Sequence, residues 1–265
     1  MLKFAANLTM WYPERPFLER FARAKLAGFD AVEFMFPYEA SADRVREAIK
    51  EQEQMAVLFN LPAGDWARGE RGVALFPERA DEFMRGVDQA VAYANAIDCP
   101  RINCLAGICP PNLPREVAWQ TLIERVRYAA DALAADGRTL LIEAINHFDI
   151  PRFLVRTVDE ALMLAEVSGR DNVRVQYDVY HQQRTQGELI GTFRRLKDHI
   201  SHIQIADNPG RHQPGTGEIN FANLWRAFEE AQYSGYIGLE YLPSGDDAEH
   251  LAWWHNYQDI AARTG

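Results

Sequence analysis

Residues 139–177 read TLLIEAINHFDIPRFLVRTVDEALMLAEVSGRDNVRVQY, and the two ends of this stretch decide the fold. TLLIE (139–143) and VRVQY (173–177) are short, near-continuous apolar runs, as expected of parallel strands covered on both faces. The longer segment between them suits a helical crossover. Working outward, the same alternation gives six more candidate strands, at 3–8 (KFAANL), 30–34 (DAVEF), 55–59 (MAVLF), 101–105 (RINCL), 200–205 (ISHIQI) and 236–240 (YIGLE). Eight βα units predict a single-domain (β/α)8 TIM barrel over residues 1–265. An open doubly wound sheet shares the alternation, but no G-x-G-x-x-G follows the first strand, so closure is the preferred reading.

Between the strands, Phe83, Val87, Ala90, Val91, Ala94 and Ile97 fall at helical spacing, as do Trp119, Leu122, Val126, Ala129 and Leu133. These stripes read as the faces that outer helices turn toward the core, not as a cofactor box. Gly28, Gly107, Gly137 and Gly235 mark caps or turns where positive φ is expected. Two connections, 60–77 (NLPAGDWARGERGVALFP) and 206–220 (ADNPGRHQPGTGEIN), are long for βα loops, and long ordered loops in a compact domain are usually functional. The glycines of 64–72 lack the G-x-x-x-x-G-K-[ST] order of a phosphate loop, and no H-E-x-x-H or G-x-S-x-G occurs.

At 265 residues, the chain is long enough for one large core. A formal net charge of −10 opposes nucleic-acid binding, which relies on Lys and Arg neutralising phosphates. A small molecule is the better partner, and a homo-oligomer is compatible with the chain. Cys99, Cys104 and Cys109 include no C-x-x-C pair, suggesting neither a disulfide framework nor a zinc site. The start MLKFAANLTM lacks the features of a signal peptide, and no stretch approaches the ~20 apolar residues of a membrane span. A cytoplasmic, soluble protein is expected.

Barrel enzymes place their chemistry at the C-terminal ends of the strands. Reading from the fifth strand, those ends carry Glu143, Asp178, Gln204 and Glu240. Neighbouring strands lie ~4.8 Å apart, so the four side chains can converge on one ion or one substrate. Three crowded carboxylates repel one another, and a divalent cation is the simplest way to offset that repulsion. All-oxygen ligands favour Mg²⁺ or Mn²⁺ over zinc. The bland alternative, carboxylates paired with Lys and Arg, has few basic residues nearby in sequence to draw on. Cys104 ends the fourth strand and reads as a buried apolar thiol.

MFPY (35–38), NLPAGDWARGERG (60–72), INCLAG (102–107), IEAINHFDIP (142–151), QYDVYHQQR (176–184), HIQIADNPGRHQPGTGEIN (202–220) and GLEY (238–241) together resemble the hydroxypyruvate isomerase family of xylose-isomerase-like barrels. The resemblance spans nearly the whole chain. It implies Glu143 and Glu240 as an acid/base pair and divalent-metal ligation by Glu143, Asp178, Gln204 and Glu240, without a nicotinamide or flavin cofactor. Related ketose epimerases usually carry histidine at the position of Gln204. The expected substrate is a small anionic 2-oxo acid, whose carboxylate a negative protein must meet with local cations. Arg211 is the first candidate, because its planar fork can hold a carboxylate bidentately, and Arg68 or Arg71 could close over the site. His181 could donate to a substrate oxygen.

Isomerisation of 2-oxo-tetronate uses the same two glutamates and is the nearest rival. A metal-assisted dehydratase or epimerase of a sugar or inositol shares the first proton abstraction. A DNA-repair endonuclease on this scaffold requires histidine ligands and a basic face. A non-catalytic binding protein would show affinity without turnover.

Overall fold

The computed structural model describes residues 1–264, with side chains through residue 258. Eight parallel strands close a barrel in sequence order: β1 (Lys3–Asn7), β2 (Ala31–Glu33), β3 (Met55–Asn60), β4 (Arg101–Asn103), β5 (Thr139–Glu143), β6 (Val173–Asp178), β7 (Ile200–Gln204) and β8 (Tyr236–Leu239). The final pairing, Lys3 against Tyr236 through Ala6 against Leu239, seals the ring. The expected strand positions hold, with ends differing by up to two residues. β4 stops at Asn103, although the Cys104 amide still bonds to the Leu141 carbonyl.

The outer ring includes α1 (Phe17–Leu26), α2 (Ala42–Glu51), α3 (Ala80–Ile97), α4 (Arg115–Ala134), α5 (Val158–Ser168), α6 (Val179–Thr185), α7 (Leu189–Leu196) and α8 (Phe221–Glu230). α9 (Asp247–His250) and α10 (Ala252–Thr264) follow the last strand. The predicted stripes on α3 and α4 face inward, with Val91 and Trp119 half-buried and the other members buried. α5 begins with a capping box: Thr157 accepts from the Glu160 amide, and the Glu160 side chain reaches back to the Thr157 amide. Among the described residues no helix is long and apolar enough to cross a membrane.

Gly28, Gly107 and Gly137 have positive φ as expected, but Gly235 does not. In that turn Gln232 takes the left-handed conformation, and Gly235 is needed for space, because a Cβ there would lie 2.5 Å from the Tyr233 hydroxyl.

Inside the barrel, the lower layer is small and apolar. Ala5, Ala31 and Leu141 belong to a compact cluster with Val57, Leu58 and Tyr236. Each of these three lies two residues before a polar side chain of the same strand face: Asn7, Glu33 and Glu143. The sequence parity thus places apolar packing below and a polar layer at the mouth.

Candidate active site

β5 ends at Glu143, β6 at Asp178 and β7 at Gln204, and Glu240 directly follows β8. The register sets Asp178 beside Gln204 and Gln204 beside Gly238. One ligand atom each from Glu143, Asp178, His181 and Glu240 lies within 4.8 Å of the others, and all four residues are buried.

Asp178 is pinned by two roles. Its Oδ1 caps α6, accepting from the amides of Tyr180 (2.7 Å) and His181 (3.1 Å). Its Oδ2 therefore turns toward the site, 3.8 Å from His181 Nε2. Glu143 accepts at Oε2 from Asn103 Nδ2 (3.1 Å), while its Oε1 lies 3.9 Å from His181 Nε2. Burial first, then the charges of Glu240 and Asp178, push the Glu143 carboxyl well above the ordinary carboxylate range. Burial likewise raises Glu240, against the pull of Arg211. His181 is driven the other way, down to about 4, chiefly by burial, so its ring is neutral near pH 7.

Arg211 supplies the cation that the sequence neighbourhood of the carboxylates lacked. Its Nη2 donates to Glu240 Oε2 at 2.6 Å, and its guanidinium lies over the Tyr180 ring. Although burial opposes its charge, Glu240, Asp178 and Glu143 raise its pKa further. Its Nε is buried without a partner, as is Asn103 Oδ1.

The loop that carries Arg211 is built around Asp207. That buried carboxylate accepts from the amides of Asn208, Gly215, Gly217 and Ile219, folding 206–220 back on itself. The Arg211 amide bonds to the Asp207 carbonyl, and the Arg211 carbonyl accepts from the Leu242 amide beyond β8. The loop after β3 is equally ordered. Asp65 caps the short 3₁₀ turn Trp66–Arg68, and Glu70 accepts from the Asp65 amide while pairing with Arg79. Arg71 stacks 3.8 Å over Trp66, and Arg68 is largely exposed beside Asp65. Among the described residues neither is hydrogen-bonded to the carboxylate cluster.

Gln204 sits one layer inward. Its Nε2 donates to Glu33 Oε1 (2.9 Å), and its Oε1 accepts from Gln176. Glu33 also accepts from Asn7 Nδ2 (2.8 Å) and pairs with His202 Nε2 (2.6 Å). β2 and β7 are separated by β8 and β1, so these bonds cross the lumen. Gly238 makes room for them, since a Cβ there would lie 2.1 Å from Glu33 Oε2. Sequence reasoning missed Glu33, His202, Gln176, Asn7, Asn103 and Asn146. Cys104, read from the sequence as a buried apolar thiol, packs into the main core with its pKa raised to about 12 by burial, and Asn103 takes the inward position at the end of β4.

A closed β/α barrel that gathers Glu143, Asp178 and Glu240 at the ends of β5, β6 and β8 points to a class, the xylose isomerase-like TIM barrels, and the chain belongs to that family, whose profile matches residues 21–257. More particularly, it is similar to hydroxypyruvate isomerase of Escherichia coli, at 45% identity over 97% of this chain and 100% of that protein. It is also similar to 2-oxo-tetronate isomerase of Pectobacterium atrosepticum, at 41% identity over 96% of this chain and 97% of the relative. Among solved structures, a Brucella melitensis protein described as an AP endonuclease of family 2 superposes with a TM-score of 0.94 at 43% identity, covering 97% and 99% of the two chains.

Proposed function

We propose that the protein is a hydroxypyruvate isomerase, interconverting hydroxypyruvate and tartronate semialdehyde by proton transfer between Glu143 and Glu240. The observation that carries this reading is the pair itself: two buried glutamates from β5 and the end of β8, both with raised proton affinity, so that the one that is ionised is a strengthened base while the other keeps a proton to donate. One carboxylate takes the proton from the hydroxymethyl carbon, the electrons move onto the carbonyl oxygen, and an enediolate forms. The partner returns a proton to the neighbouring carbon. The hydroxyl proton passes between the adjacent oxygens, so the reaction is redox-neutral overall and needs no nicotinamide or flavin.

The donor set fits a divalent cation. Three carboxylates and an amide oxygen are hard ligands, and Glu143 and Glu240, raised chiefly by burial and further by neighbouring carboxylates, would be relieved of that repulsion by a cation. Glu143, Asp178 and Glu240 would hold Mg²⁺ or Mn²⁺, which would supply an electrophile for the substrate's oxygens, and Gln204, proposed as the fourth ligand, would have to give up the bond its Oε1 accepts from Gln176. Arg211 meets the substrate carboxylate through its unpartnered Nε, with Arg68 and Arg71 as further cations on the neighbouring loop. His181 donates to a substrate oxygen.

The net charge of −10 argues against nucleic acid as a partner, and the substrate is a small anionic 2-oxo acid whose charge Arg211 meets locally, in a cytoplasmic enzyme that is compatible with a homo-oligomer. A second reading, 2-oxo-tetronate isomerase, is favoured by three relatives of that name at 39–41% identity. Assay of both 2-oxo acids with and without chelator separates the two. Turnover of the four-carbon acid but not of hydroxypyruvate would move the assignment to the second.

A further inference from the structure

His181 lies close enough to the carboxylates to be counted among metal ligands by distance alone, and the hydrogen bonds on its far side argue otherwise. Asn146 is fully buried in the loop after β5. Its Oδ1 accepts from the backbone amides of Phe148 (3.0 Å) and Asp149 (2.9 Å), an Asx turn in I-N-H-F-D. Backbone amides only donate, so these two bonds fix which end of the side-chain amide is oxygen. The Nδ2 end then faces His181 Nδ1 at 2.7 Å and Asp149 Oδ2 at 3.0 Å. The Asn146 backbone amide also points at His181 Nδ1, at 3.4 Å. Both groups on Nδ1 are donors. Nδ1 must therefore be the bare nitrogen, and a neutral ring with bare Nδ1 carries its proton on Nε2.

We propose that Asn146 is a positioning residue that locks His181 as the Nε2–H tautomer, so that His181 meets the substrate as a hydrogen-bond donor and stands outside the metal's ligand set. The inference rests on the isomerase reading of the same site and assigns one of its parts. A histidine that ligates a metal normally donates its other ring N–H to a carboxylate or carbonyl, leaving the coordinating nitrogen bare. Here the polarity is reversed, because the outer nitrogen accepts. The Nε2–H points among Glu143 Oε1 (3.9 Å) and Asp178 Oδ2 (3.8 Å), beyond hydrogen-bond length from either, which leaves it free for an oxygen placed between them. Asp149 completes the lock by taking the second Asn146 N–H. Its carboxyl is kept low, against burial, by hydrogen bonds that include this one and by Arg184, so it remains an acceptor near neutral pH.

The test is the tautomer itself. In protein labelled with ¹⁵N-histidine, His181 is assigned by the signal lost in His181→Gln, and ¹⁵N–¹H correlation spectra are recorded at pH 7 without metal and with saturating Mg²⁺. A proton on Nε2 and a bare Nδ1 are expected in both. A proton on Nδ1, or loss of the Nε2 proton when Mg²⁺ is added, overturns the proposal. Asn146→Asp places an acceptor at Nδ1 and should move the ring proton there, baring Nε2. It is expected to bind Zn²⁺ at least about tenfold more tightly and to lose at least about tenfold in kcat/KM. A folded Asn146→Asp protein with wild-type Zn²⁺ affinity and kinetics would count against the lock, and if the variant does not fold, the wild-type spectra decide alone. The spectra need no turnover, so failure of the hydroxypyruvate assay leaves this result readable on its own.

Discussion

Metal binding should be tied to proton release, and Glu240 sets the size of the effect. Its carboxyl, ordinarily near 4.5, is pushed up to about 8 by burial, with Asp178 and Glu33 adding and Arg211 opposing. A group titrating near 8 is about nine-tenths protonated at pH 7, and a metal takes only the carboxylate. Binding Mg²⁺ at pH 7 should therefore release close to one proton from Glu240 alone, and the apparent affinity should climb about tenfold from pH 6 to 7 and about fivefold from pH 7 to 8. Glu143, raised in the same direction, can only steepen this dependence.

A carboxyl that binds its proton more tightly folded than unfolded costs stability as pH rises from the unfolded value through the folded one. Between about 4.5 and 8 this amounts, at about 1.4 kcal/mol per factor of ten in proton affinity, to on the order of 4–5 kcal/mol for Glu240 without metal. Mg²⁺ should restore it, so the rise in Tm on adding Mg²⁺ should grow from pH 6 to pH 8. Titration calorimetry in buffers of different ionisation enthalpy counts the released protons directly. A Mg²⁺ affinity flat across this range, with no proton released, would show that Arg211 already keeps Glu240 ionised and would refute the reasoning.

Three further outcomes are expected. Glu143→Gln and Glu240→Gln each remove a proton acceptor and should lower kcat by at least about 10²-fold; wild-type turnover in D₂O should place solvent deuterium on carbon, and complete retention of the original hydrogen would exclude the two-glutamate route. Arg211→Ala should raise KM more than it lowers kcat, because a clamp on a remote carboxylate serves substrate and transition state alike; unchanged kinetics would shift that role to Arg68 or Arg71. Asp207→Ala strips four backbone amides of their acceptor, a loss of about 2–4 kcal/mol, and should lower Tm by roughly 5–15 °C while weakening substrate capture; a Tm within 2 °C of wild type would mean that the Arg211 loop holds its shape without this carboxylate.

The strands, the stripes on α3 and α4, and the polar strand ends were legible because each is a local signal: an apolar run, a helical period, or an acid or amide closing a strand. What escaped was non-local. Glu33 in DAVEF looks like a solvated strand residue until β7 is known to face it across the lumen. Its partners His202 and Gln204 share one strand face by parity, and that was the available clue. Asn103 was hidden by a strand boundary drawn two residues too far, which gave the end position to Cys104. Asn146 announced itself only as an Asx turn, and its bond to His181 joins residues 35 apart in sequence. Arg211 was found as a cation, but its pairing with Glu240 depends on the loop folding back around Asp207.

Charge at the barrel mouth explains why these parts belong together. Glu33, Glu143, Asp178 and Glu240 face one arginine, while Glu33 is already engaged with His202 and His181 is neutral. An anionic 2-oxo acid brought alone into this field adds a like charge where solvent cannot screen it. A divalent cation changes the sign of the problem. Held by Glu143, Asp178 and Glu240, it would compensate the carboxylates, and the unpartnered Nε of Arg211 would be the donor on offer to a substrate carboxylate. The acidic cluster and Arg211 are thus opposite halves of one proposed site: the carboxylates would hold the cation, and the arginine would receive the substrate's carboxylate.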